Sequence, residues 1–185
     1  LPGLLLGLMM AFIGRANARI VADAAGVVPG DHVVDLGCGP GNAAREAARR
    51  GAEVIGIDPA PMMRRVAGWL TPAGGLITFQ PGFAEAIPLA AGAATVVWSV
   101  LSVHHWPDLV GGLREASRVL APGGRFVVVE KKVKPGATGL ASHGWTPAQA
   151  ELFVTMLAEH GFESAQISER PSGWGHALVV TARRG

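Results

Sequence analysis

Short, continuous apolar runs alternate with amphipathic segments along most of this chain. His32 to Leu36, Glu53 to Ile57, Leu76 to Gln80, Thr95 to Val100 and Arg125 to Val133 have the length and β-branched content of strands covered on both faces. Between them lie helical patterns. Asn42 to Arg50 carries Ala43, Ala44, Ala47 and Ala48 on one side and Arg45, Glu46, Arg49 and Arg50 on the other, and Gly51 ends it. Ala60 to Leu70 starts at the prolines Pro59 and Pro61 and stops before Thr71-Pro72-Ala73-Gly74-Gly75. Asp108 caps a helix marked by Leu109, Leu113, Ala116 and Leu120, which Ala121-Pro122-Gly123-Gly124 terminates. Thr146-Pro147-Ala148-Gln149 is a capping box that opens a helix to His160 and Gly161. Phe162 to Ser168 and His176 to Ala182 are two final strands, and the short Glu169 to Gly175 connection implies an antiparallel hairpin. The pattern predicts an α/β fold: a doubly wound, seven-stranded, mostly parallel sheet with a reversed final strand and a ligand at the carboxyl ends of its central strands.

The segment 1–26 stands apart from a main domain at 27–185. Leu1 to Ile13 is apolar but interrupted by Pro2, Gly3 and Gly7, and it falls short of the ~20 residues of a membrane span. Ala16-Asn17-Ala18 imitates a signal-peptidase site without a charged leader, so Leu1 reads as a trimming boundary. From about Met9 to Ala25, the positions Phe12, Ile13, Ala16, Ile20, Val21 and Ala24 suit a helix with one buried stripe. It is either a packing helix or a lid, with Met9, Met10 and Phe12 as an adaptable apolar wall. Lys134 to Trp145 reads as a flexible loop.

Composition narrows the classes. At 185 residues and 49% hydrophobic content the chain buries the core of one globular domain. Its net charge of +2 comes with dispersed basic residues, a weak case for nucleic acid. The single cysteine, Cys38, leaves no disulfide and favours a reducing, cytoplasmic setting.

The candidate chemistry gathers between Val33 and Asp58. Asp35-Leu36-Gly37-Cys38-Gly39-Pro40-Gly41 follows a buried strand, and three residues without Cβ let the backbone come close to a ligand. Asp58 ends the next strand, where a carboxylate accepts hydrogen bonds from a vicinal diol such as a ribose. A dinucleotide fingerprint needs glycine three residues after Gly39, where Asn42 stands, and Asp35 would repel a pyrophosphate. It suits a cationic ligand.

Five segments in order resemble the motifs of class I S-adenosylmethionine-dependent methyltransferases. They are Asp35 to Gly41, Gly56-Ile57-Asp58-Pro59 with Met63, Ala84-Glu85-Ala86-Ile87-Pro88, Ser99 to His105, and Arg118-Val119-Leu120-Ala121-Pro122-Gly123-Gly124. The resemblance spans Val27 to Ala182 and is nearest the small-molecule subgroup similar to ubiquinone and menaquinone methyltransferases. It implies S-adenosylmethionine as cofactor, with Gly37, Cys38, Gly39 and Gly41 beside the methionine part and ribose and Asp35 near its amino group. It also implies Asp58 on the ribose hydroxyls, Pro59 and Met63 flanking the adenine, the Ala84 backbone at an adenine nitrogen, and Ser99 and Val100 at the sulfonium. Phe83 departs from the family, which often has an acid there, and leaves adenine to packing and backbone. Thr95, at a position commonly acidic, reads as a surface detail.

Methyl transfer from a sulfonium needs alignment and exclusion of water rather than a nucleophilic residue. A hydroxyl acceptor must also lose a proton, and His104, just beyond the fourth strand, is the candidate base. His105 reads rather as fixing the loop, and His143 is a weaker candidate. Glu130 either orients a substrate or pairs with Lys131 or Lys132. Trp98 and Trp106 are expected at the rim. Arg45, Arg49, Arg64 and Arg65 form a basic face without the interleaved aromatics of an RNA site. The expected function is methyl transfer to an oxygen or carbon of a small, hydrophobic acceptor, with no metal, no nucleic-acid partner and no stable membrane insertion. The alternatives are a non-catalytic methyltransferase-like binding module and an RNA methyltransferase.

Overall fold

The computed structural model describes residues 2–72, 74–138, 142–173 and 175–185. Seven strands form one sheet: β1 (His32–Leu36), β2 (Glu53–Ile57), β3 (Ile77–Gln80), β4 (Ala94–Val100), β5 (Leu120–Lys131), β6 (Phe162–Ser172) and β7 (Gly175–Arg184). Their order is β3-β2-β1-β4-β5-β7-β6, and β7 runs against the rest. The helices are α1 (Pro2–Ile13), α2 (Arg15–Ala25), α3 (Asn42–Arg49), α4 (Pro61–Trp69), α5 (Leu109–Val119) and α6 (Pro147–Glu159).

Side-chain alternation sends one set of apolar residues to each face of the sheet. Val33, Val54, Val96, Trp98 and Val127 pack with the alanines of α2 and α3. Val34, Leu36, Val97, Phe126 and Val128 pack with α5 and α6. The alanine-only inner face of α3 lets that helix lie close on the sheet. Both expected caps form: Asp108 accepts from the Gly111 N–H at 2.9 Å, and Thr146 and Gln149 close a reciprocal capping box.

Four expectations change. The single helix expected from Met9 to Ala25 divides into α1, which begins at Pro2, and α2, whose buried positions are Ala18, Val21, Ala22 and Ala25; Phe12 is 76% exposed and Ala24 is exposed. Small residues win because they allow close contact: a Cβ on Gly7 would stand 3.1 Å from Val66 of α4. The last hairpin is longer than its apolar runs, because backbone pairing continues through the polar residues Glu169 to Ser172. Trp145, expected in a flexible loop, is 6% exposed and packs on Phe153 at 4.6 Å between ring centroids, and its backbone N–H donates to the Lys131 carbonyl. Residues 139–141 of that loop lie outside the described residues. Thr95 is no surface detail. Its hydroxyl donates to Asp31 at 2.8 Å and accepts from the His32 N–H at 3.0 Å, tying β4 to the start of β1, and Asp31 also pairs with Arg125.

Among the described residues no helix is long and apolar enough to cross a membrane.

Candidate active site

Chain order reverses between β1 and β4, so the loops leaving them diverge and open a crevice at their carboxyl ends. The Gly37 and Cys38 N–H groups both donate to the Ile57 carbonyl, at 2.8 and 3.1 Å, folding the glycine loop across the end of β2. Gly37, Gly39 and Gly41 all have positive φ, +69°, +51° and +78°. A Cβ on Gly37 would lie 1.9 Å from the Ser102 hydroxyl, and one on Gly41 2.9 Å from the Phe79 ring. A Cβ on Gly39 would meet nothing within 4 Å, so this glycine turns its backbone toward open space.

Asp58 is buried and accepts from the Gly39 N–H through Oδ2 and from the Ala60 N–H through Oδ1, each at 2.8 Å. A carboxylate has about four acceptor positions, so two remain for hydroxyls. Asp35 is 1% exposed, and its Oδ2 has no hydrogen-bond partner. Burial pushes its carboxyl up to about 7, with Asp58 adding to the rise. The indole N–H of Trp98, near enough to favour the ion without reaching hydrogen-bond geometry, and the Ala44 backbone N–H act the other way.

The remaining candidates divide. The Cys38 side chain turns inward, with Sγ 3.0 Å from where a Gly56 Cβ would stand, and burial raises its thiol well above the ordinary value. It offers a ligand only backbone. Pro59 is exposed, Met63 half-buried, Phe83 57% exposed and Ala84 buried. The turn that follows Phe83 is clamped from α5: Glu115 accepts from the Ile87 N–H at 2.9 Å, and Arg118 donates to the Ile87 and Leu89 carbonyls at 3.0 and 2.8 Å. That clamp was visible in the sequence only as an i, i+3 acid–base pair. Ser99 is wholly buried with an unpartnered hydroxyl. It shares the α5/α6 face with Val97, opposite Asp35, so the two side chains do not meet. Val100 is half-buried on the other face. Trp98 is fully buried, not at the rim, and Trp106 packs over Gly112.

Across the crevice, Leu101 holds φ at +54°, a left-handed conformation rare for leucine, and it turns the chain into a 3₁₀ helix at Val103–His105. Glu130, on β5, is completely buried beneath this turn. Its Oε1 accepts from the Val103 N–H at 2.9 Å, and its Oε2 lies 2.8 Å from His104 Nδ1. Glu130 pairs with neither Lys131 nor Lys132; Lys132 bonds Glu169 at 2.6 Å. The His105 ring lies 4.0 Å from that of His104 with the two planes tilted by 48°, and His143 stands 5.7 and 5.6 Å from the two. Burial first, then the neighbouring His104 and His143, lowers the pKa of His105. Among the described residues no group of three or more His, Cys, Asp or Glu side chains is arranged to hold a metal ion.

The orphaned Asp35 oxygen, the open backbone at Gly39 and the spare acceptor positions of Asp58 fit S-adenosylmethionine, which carries an ammonium and a ribose diol. The comparisons with known proteins agree. A family model described as a methyltransferase domain matches residues 34–128. The chain is 41% identical over 101 residues to the chloroplastic tocopherol O-methyltransferase of Arabidopsis thaliana, covering 52% of this chain and 29% of that protein. It is 32% identical over 145 residues to demethylmenaquinone methyltransferase of Beutenbergia cavernae, covering 78% of this chain and 58% of the relative. The chain thus spans only part of these relatives. An S-adenosylmethionine-dependent methyltransferase from Mesorhizobium loti shares the fold, with TM-score 0.76, 23% identity, and coverage of 92% of this chain and 99% of that one. The chain belongs to the class I S-adenosylmethionine-dependent methyltransferases.

Proposed function

We propose that this chain moves a methyl group to a small, apolar acceptor bearing a phenolic or quinol hydroxyl, with His104 as the base and Glu130 as the residue that positions it. The observation that carries this reading is the His104–Glu130 pair at the acceptor side of the rim. A carboxylate at Nδ1 favours the tautomer with the proton there, which leaves the Nε2 lone pair free to take a proton. The second anchor of Glu130, on the Val103 N–H, fixes the angle of the pair.

When bound, S-adenosylmethionine supplies an electrophilic methyl on a sulfonium, and the sulfur keeps the bonding electrons as the methyl departs. Asp58 and the glycine loop hold the ribose end, and Asp35 the amino end. His104 takes the acceptor's hydroxyl proton. Loss of that proton raises electron density on the oxygen and on the conjugated ring carbons, so one dyad serves methylation at either atom. The likeness to tocopherol and demethylmenaquinone methyltransferases supports an acceptor of this kind.

Calorimetry should show binding of S-adenosylmethionine and its demethylated product but not of NAD, and a panel of phenols and quinols should include a substrate. His104→Ala should bind cofactor as wild type does while turnover falls by roughly 10²–10⁴-fold. Undiminished turnover in that variant would remove His104 as base, and absence of turnover on the whole panel would remove the reading.

A further inference from the structure

We propose that the outer face of α1, together with the arginine-lined groove beside it, docks the protein on an anionic lipid bilayer. Helix α1, Pro2–Ile13, contains no polar side chain. Such a helix is ordinarily buried all round. Here one stripe of small residues faces the protein, with Gly7 against Val66 and Gly14 against Asn42. On another face Leu5, Met9 and Phe12, spaced i, i+4, i+7, are 72%, 51% and 76% exposed. Helical hydrogen bonding continues through Gly14, whose N–H donates to Met10 and whose carbonyl accepts from Ala18, at 2.9 and 3.1 Å. Arg19, seven residues beyond Phe12, therefore extends the same face.

Beside this face runs a groove of about 1030 Å³, lined by Phe12, Arg15, Arg19, Arg45, Arg49 and Leu76 among others. Its one acid, Glu46, is already bound by Arg49 and Arg50. Arg19 has no hydrogen-bond or ion-pair partner among the described residues. Arg45 donates to the neutral Pro40 carbonyl and Asn42 side-chain oxygen, at 2.7 and 2.9 Å, so its charge adds to the positive charge of the groove. Leu70, which also lines the groove, is 40% exposed, and its chain neighbour Trp69 is 68% exposed.

Exposed aliphatic and aromatic side chains bordered by arginines are the composition of an interfacial anchor. Among the described residues no helix is long and apolar enough to cross a bilayer, and this amphipathic face would lie in the interface. Four arginines would repel those of a second copy, and exposed Leu5 and Met9 offer nothing to an RNA backbone. This surface is independent of the methyl-transfer reading, because it lies outside the histidine rim.

The test is sedimentation of the full chain with vesicles of phosphatidylglycerol and phosphatidylcholine, against vesicles of phosphatidylcholine alone. Wild type should sediment with the anionic vesicles, less as salt rises, and little with the neutral ones. Arg19→Glu and Leu5→Ser should each weaken partitioning on the order of tenfold while cofactor binding, read by calorimetry, stays unchanged. No sedimentation with anionic vesicles, or sedimentation undiminished in both variants, would overturn the proposal. So would a dimer in ultracentrifugation that Leu5→Ser abolishes, or single-stranded RNA binding, if either appeared without vesicle binding.

Discussion

At the ends of β1 and β2 the rim of the crevice is built largely of main chain; at the ends of β4 and β5 it is built of side chains. The first half of the rim is three left-handed glycines folded across Ile57, with two buried carboxylates below. The second half is an imidazole held by a carboxylate 26 residues away in sequence, on a turn entered through a strained leucine. A backbone cradle accepts one ligand shape and tolerates little change beneath it. A side-chain dyad can be altered without disturbing the sheet. The two halves should therefore fail differently, one in cofactor affinity and the other in turnover.

The largest effect is expected from Asp58→Ala. On the proposed reading it removes two charge-assisted bonds to the ribose hydroxyls, at about 1.5–3 kcal/mol each, and it also frees the Gly39 and Ala60 N–H groups that Asp58 holds. Cofactor affinity by calorimetry should fall at least roughly 100-fold. A change under threefold would mean that Asp58 only braces the loop.

Next comes the pH dependence of cofactor binding. The buried Asp35 carboxyl, pushed up to about 7, is largely protonated at pH 6 and ionised at pH 8. An ammonium prefers the carboxylate, so affinity should rise roughly tenfold across that interval and then level, and Asp35→Asn should flatten the rise. In the ligand-free protein the sign is opposite. A carboxyl with a folded pKa above its unfolded value of about 3.9 holds its proton more tightly when folded, so stability declines from about pH 4 to pH 7 and is then flat. Asp35→Asn should abolish that decline in urea titrations as well.

The smallest effect tests the frame beneath both halves. Thr95→Val deletes the hydroxyl that joins Asp31 and the His32 N–H and should cost about 1 kcal/mol of stability, with cofactor affinity unchanged. A matching loss of affinity would show that the strand starts and the rim are mechanically coupled.

The same contrast explains what could be read from the chain. The cofactor half is contiguous: glycine spacing, the upstream Asp35 and Asp58 at a strand end are local signals with local causes, and the doubly wound sheet with its reversed final strand followed from alternating runs. The acceptor half is assembled from Val103, His104, Glu130 and His143, whose meeting depends on β4 and β5 lying side by side. Position alone could nominate His104 but could not decide whether Glu130 faced a substrate, a lysine or a histidine. Apolar spacing misled at the first helix for a related reason. Close helix contact selects small residues such as Gly7 and Ala18, while Phe12 was left outside.

The division of the rim is tested most directly by calorimetric titration of Glu130→Gln with S-adenosylmethionine, set beside its turnover. Glutamine still accepts from the Val103 N–H but presents an amide N–H to His104 Nδ1, which moves the imidazole proton to Nε2. A cofactor Kd within about twofold of wild type with turnover lowered roughly 10²-fold or more is the expected result. Affinity and turnover falling together, or turnover left intact, would contradict it.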